Sequence, residues 1–307
     1  MSEKLPTYGG QAVIEGVMMR GAKGVAIAMR APSQDIVVHT EDLPGIYRSR
    51  IMKIPFLRGL VALWDALGLG IRALTISANT QTGEDEKLEG PQLYLTLGFS
   101  LLFGISLFFL APAAMGQLSE HFLQWNAWWG NLLEGLVRLA LLVGYILAVS
   151  QIPDIRRVFA YHGAEHKTIN AFEAGAELTP QNVSRFSLEH PRCGTAFLLT
   201  LVLFSVLLFS LLGPLPIFLR LASRILLLPL LAGLAYEYIR WTATHLESPV
   251  VRLLVKPNLA LQRLTTREPS LEMLEVSIAA FNAMREHEHV MRSYDEQRLA
   301  EEGRLAL

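Results

Sequence analysis

Two histidines four residues apart, His162 and His166, flank the glutamate Glu165 in the stretch YHGAEHKTINAFEAG. On a helix this spacing puts both imidazoles on one face, and Glu173, seven residues after His166, returns to that face. The order His-x-x-Glu-His is the pattern of inverted zinc peptidases, in which two imidazoles hold the metal and the glutamate activates a water. Neutral imidazole suits zinc, and an open coordination position would let a bound water ionise near neutral pH. Three fixed residues also recur by chance, so the neighbours matter. HPRCG follows at 190–194, where His190 and Cys193 are spaced so that one turn could present both to a metal. The alternative is a cap, in which Pro191 and Gly194 shape the chain and Cys193 is a small buried hydrophobe. The expected ligands of Zn2+ or another divalent ion are thus His162, His166, Glu173, His190 and Cys193, with Glu165 as general base.

A second dense stretch, YGGQAVIEGVMMRGAKG, places Gln11, Glu15 and Arg20 in an otherwise apolar strand pattern. Its glycines permit close backbone approach. It lacks the spacing and the following helix of a dinucleotide-binding loop. These three residues, with Glu237, are candidates for a further pocket. The alternatives are an edge strand with a solvated face, and a structural pair between Glu237 and Arg240.

The elements that must position these groups read as those of a membrane protein. Only 18% of the 307 residues are charged, below the roughly 25% of a soluble protein. A formal charge of -1 offers no basic excess for nucleic acid. The single cysteine excludes an intramolecular disulfide, and the start MSEKLPTYGGQAVIEG has no apolar core of signal-peptide type. Apolar runs at 93–113, 131–150, 196–212 and 217–241 are expected to span a bilayer as helices. Within them Glu134 can pair with Arg138, while Arg220 and Arg224 could snorkel to the interface. The loop Gly116 to Gly130 has three tryptophans and no Lys or Arg, whereas 151–195 carries Arg156, Arg157, Lys167, Arg185 and Arg192. The second loop and both termini are therefore expected in the cytoplasm, at a cell membrane crossed several times.

The expected fold is an α-helical integral membrane protein of about four spans with a small cytoplasmic α+β part. Residues 1–54 read as a β-rich segment with an antiparallel sheet. In 55–80 the polar residues Arg58, Asp65, Arg72 and Asn79 recur every seven positions, suiting an amphipathic helix in the inner interface or a fifth span. The acidic stretch 82–91 reads as a linker. The segment 151–195 bears the motifs, and 242–307 is a cytoplasmic C-terminal part. There SPVVRLLVKPNLALQRLTTREP looks extended, a helix opens at Ser270, and His287 and His289 look solvated.

GGQAVIEGVMMRG near the start, YHGAEHKTINAFE after a span and HPRCGTAF before the next, together with PFLRGLVALWDALGLGIRAL and LQRLTTREP, resemble the YqhQ-like family of bacterial integral membrane proteins. The resemblance covers nearly the whole chain. It implies an uncharacterised, predicted metal-dependent enzyme. A hydrolase with its site on the cytoplasmic face is the expected function. The alternatives are a non-enzymatic scaffold or assembly factor, with a structural metal or none, and a transporter resting on the charges within spans. The expected partners are the lipid bilayer and other membrane proteins or a second copy, and not nucleic acid.

Overall fold

The computed structural model describes residues 8–43, 50–82 and 90–305. The chain ends and most of the acidic 82–91 stretch lie outside them. Strands β1 (Gly9–Val13), β2 (Gly16–Arg20), β3 (Gly24–Arg30) and β4 (Ile36–Asp42) form one antiparallel meander in that order. The middle strands read as unbroken apolar runs because helices cover both faces of the sheet. Val17, Met19, Ala26 and Ala28 pack on helices α5 (Pro153–Glu173) and α11 (Leu271–Leu305). Met18, Val25, Ile27 and Met29 pack on Ala73, Leu69 and Ile76 of helix α1 (Leu57–Gln81).

The sevenfold polar stripe of α1 is a seam of ion pairs. Arg58 meets Glu237, Asp65 meets Arg20 and Arg72 meets Glu41. Its apolar residues Trp64 and Leu67 are turned outward, at 80% and 56% exposed. This helix is long and apolar enough to cross a membrane, yet its second half is occupied by the sheet.

Two further stretches pass the same test of length and composition. One is the continuous helix of α2 (Pro91–Ile105), a π-turn (Ser106–Leu110) and α3 (Ala111–Phe122), and the other is α4 (Ala127–Val149). A fourth is the pair α8 (Ile217–Leu226) and α9 (Leu228–Thr244), bent by 43°. Helix α7 (Thr195–Ser210) is apolar but shorter. Between α5 and α7 lies the single turn α6 (Pro180–Val183).

The structure departs from the sequence reading in four places. The loop expected over 116–130 shrinks to a few residues after Phe122, because Gly116 lets α3 pack tightly on the Gly130 carbonyl and continue as helix. The stretch expected to be extended is helix α10 (Pro249–Thr265): Pro249 occupies its first turn, where no N–H is needed. Arg220 and Arg224 do not snorkel; each is 1% exposed and paired with carboxylates on other helices. His287 is not solvated but lies 2.7 Å from Asp42 on the sheet edge.

Phe281 of α11 is fully buried against Tyr8 and Phe172 where sheet, α5 and α11 meet. Phe281→Ala should destabilise that unit by roughly 3–5 kcal/mol through the cavity it leaves. Thermal unfolding of the purified variant, followed by loss of near-ultraviolet ellipticity, checks this; an unchanged midpoint would contradict the packing described.

Candidate metal centre

Helix α5 starts at Pro153 with Asp154 in its first turn, where a carboxylate suits the helix dipole. It then runs between the sheet and α11. Gly163 makes this possible at one crossing, since a Cβ there would lie 2.2 Å from the Arg267 carbonyl. That contact brings the end of α10 beside the first histidine.

His162 and His166 are each anchored through Nδ1. The ring nitrogen of His162 lies 2.9 Å from the Thr265 carbonyl, and that of His166 lies 2.5 Å from the Leu188 carbonyl. A carbonyl only accepts, so each Nδ1 carries the proton and each Nε2 presents a lone pair. The two rings stand 4.4 Å apart, and Nε2 of His162 is 3.2 Å from Cys193 Sγ. The ligand atoms of His162, His166 and Cys193 all lie within 4.8 Å of one another. The hydroxyl of Thr195, 3.1 Å away, also contacts the sulfur, and the Thr195 N–H donates to it.

Glu165 sits over this triad. Its Oε2 is 3.9 Å from Nε2 of His162 and 4.0 Å from Nε2 of His166. The residue is only 5% exposed, and among the described residues its ion-pair partners are the two histidines and no lysine or arginine. Nε2 of His166 is likewise buried and has no hydrogen-bond partner. A buried carboxylate beside an orphaned imidazole nitrogen is a costly arrangement unless a cation completes it. Two imidazoles and a thiol, with a carboxylate beside them, form a donor set that fits zinc or a similar divalent ion.

Of the remaining candidates, His190 lies next to this group and Glu173 behind it. The His190 ring is 5.7 Å from that of His166, and its buried Nε2 is 3.8 Å from Glu173 Oε2. Glu173 also pairs with Arg192. Burial alone would raise the Glu173 pKa, but its bonds with His190 and Arg192 outweigh that and hold the carboxyl below the usual glutamate range. These two residues thus form a flank of the cluster, outside its closest triad.

Gln11, Glu15, Arg20 and Glu237 are not brought to the cluster. Gln11 packs on Gly70 of α1, Arg20 pairs with Asp65, and Glu237 pairs with Arg58 instead of Arg240. Glu15 accepts two hydrogen bonds from Arg157, at 2.6 Å each, and one from Tyr161 at 3.3 Å. The Arg157 bonds lower the Glu15 pKa against the opposing effect of its burial, and burial raises that of Tyr161.

Four residues outside the expected site hold the cluster in shape. Gly10 of β1 lies directly against Glu165, where a Cβ would come within 2.8 Å of its Cγ. Lys167 is buried and donates to the Ser184 and Phe186 carbonyls while pairing with Glu268 at 2.7 Å. Asn170 donates to the Ser187 and Glu189 carbonyls. Gln262, fully buried, accepts from the His190 N–H and donates to the His190 carbonyl. Of these, only the glycine stretch near the start carried a sequence signal, that of close backbone approach. Beyond Leu188 opens a cavity of about 380 Å³ whose lining includes Lys167, Ser187, Arg263, Thr266 and Glu268.

The family described as "Protein of unknown function (DUF1385)" matches residues 54–287. Over 296 residues the chain is 36% identical to "Uncharacterized protein YqhQ" of Bacillus subtilis (strain 168), covering 91% of this chain and 92% of that protein. No solved structure matches.

The pair of Glu15 and Arg157 gives a pH signature. The folded pKa of Glu15 lies below its unfolded value, so its stabilisation is present above the ordinary glutamate range and is lost as pH falls through the folded value. Glu15→Gln should lower stability at pH 7 and flatten the decline on acidification to pH 3. Denaturation midpoints across that range check it, and parallel profiles for both proteins would refute it.

Proposed function

We propose that this chain, which belongs to the DUF1385 family of proteins of unknown function, is a multi-pass membrane protein with a divalent metal centre on its cytoplasmic face. The observation that carries the reading is the convergence of two imidazole Nε2 atoms, one sulfur and a buried, otherwise uncompensated carboxylate. The bilayer part rests on the apolar helices, and the orientation rests on the basic residues between α4 and α7.

His162, His166 and Cys193 are the ligands, with His190 and Glu173 flanking them. Bound there, the cation supplies a Lewis acid that makes water a nucleophile near neutral pH. Glu165 Oε2, 3.9 and 4.0 Å from the two imidazole Nε2 atoms, is the residue that would serve as general base beside such a cation. Gly10 and the sheet fix the carboxylate from behind, while the carbonyls of Thr265 and Leu188 fix the rings. The reaction class that follows is hydrolysis.

A scaffold role with a structural cation uses the same ligands, so two measurements separate the cases. Purified wild-type protein should carry close to one equivalent of zinc or another divalent metal by elemental analysis, and His162→Ala with His166→Ala should lose it. Full occupancy in that double variant would sink the metal assignment.

Glu165→Gln should keep the metal and the fold but abolish function in a complementation assay. A fully active Glu165→Gln protein would turn the reading toward the scaffold.

A further inference from the structure

A second concentration of charge lies far from the histidines, among the apolar helices. Glu134 of α4 binds both Arg138, at 2.7 Å, and Arg224 of α8, at 2.6 Å. Arg224 also donates to Asn131 at 2.8 Å and lies over the Phe209 ring at 4.2 Å. Arg138 donates to the Phe108 carbonyl and to Ser205 of α7. Arg220 of α8 reaches Glu120 of α3 at 2.5 Å. Ser205 stands twelve residues beyond Cys193, roughly 18 Å along the helix.

Three guanidiniums thus face two carboxylates, leaving one positive charge in excess. The excess has an address: Nη1 of Arg220 is buried and has no partner, although Arg220 is 1% exposed. On the same helix as Glu120, the buried amide oxygen of Gln117 also lacks a partner.

We propose that this network is an anion site for a phosphate group, filled in the bilayer by the headgroup of an anionic phospholipid. An uncompensated charge at membrane depth is unfavourable unless a counter-charge joins it. The planar guanidinium fork matches phosphate oxygens. Depth fits as well, because Asn131 lies two residues after Trp129, which with Trp128 is half exposed, and such aromatics settle at headgroup level. The outer face of α8 is apolar, with Phe218 83% and Leu226 76% exposed, and it suits acyl chains. Glu120, the most open member of the network, marks the side from which the anion reaches Arg220. The site rests on the bilayer reading above and is independent of the metal.

The test is native mass spectrometry of the full chain, purified in detergent and exposed to equal phosphatidylglycerol and phosphatidylcholine. Wild type should retain phosphatidylglycerol with several-fold preference. Arg220→Gln should lose the preference, and Glu120→Gln, which raises the excess charge, should widen it. Inorganic phosphate alone, added without lipid, protecting wild type but not Arg220→Gln against heat would support the anion site and assign it to free phosphate. Equal retention of both lipids with no response to phosphate would overturn the site, as would a preference that neither substitution changes. Recovery of the chain in the soluble fraction without detergent would instead overturn the bilayer reading.

Discussion

Helix α5 is polar in sequence yet enclosed on nearly every side from Ala160 to Ile169. Each buried polar group on it must therefore find a partner, and the rest of the architecture supplies them. Tyr161 meets Glu15 from the first hairpin, His162 meets Thr265 at the end of α10, and His166 meets Leu188. Lys167 takes the carbonyls of the 184–186 turn, and Thr168 shares a hydrogen bond with Ser277 of α11. The segments contacted lie up to 146 residues away in sequence. Burying this one helix thus ties the sheet, α10, α11 and the 184–190 segment into a single unit. What it leaves unsatisfied is local: the inward Nε2 of His166, 4.0 Å from Glu165.

The same rule acts differently among the apolar helices. There the charged groups pair mainly with one another, and Arg138 and Asn131 add bonds to the Phe108 and Phe209 carbonyls. Glu134 carries two arginines from different helices, so removing that one carboxylate would strand both. Helix α8 turns its arginines inward and its phenylalanine and leucines outward, the reverse of a soluble amphipathic helix. Such an arrangement suits apolar surroundings.

Much of this was legible in the sequence, and the limits have physical causes. The i, i+4 geometry of His162 and His166 and the pairing of Glu134 with Arg138 depend on one helix alone, so spacing sufficed. The meander was readable because its strands are short, apolar and separated by turn residues. Glu173 shares the histidine face by spacing, but a side chain is claimed by what stands opposite, and Arg192 stands there. The prolines of α10 suggested an extended chain because Pro249, at the first helical position, cannot be told from a breaker without knowing where the helix begins, and because Pro257 stands inside the helix at the cost of a backbone hydrogen bond. The stripe of Arg58, Asp65, Arg72 and Asn79 showed a polar face but not its partners, since Glu237, Arg20 and Glu41 come from separate elements.

Gly10 shows why the dense glycine stretch near the start belongs with the histidines although its polar residues do not. Gln11, Glu15 and Arg20 drew notice as reactive types, but their side chains serve α1 and the outer flank of α5. The residue that meets the cluster is the one without a side chain, because only a bare backbone admits Glu165 so close to β1. Cys193 arrives from a third direction, at the entry to α7. Three stretches far apart in sequence therefore converge through a backbone contact, a helix face and a cap. A substitution at Gly10 would act on the carboxylate by displacement, with no chemistry of its own to lose.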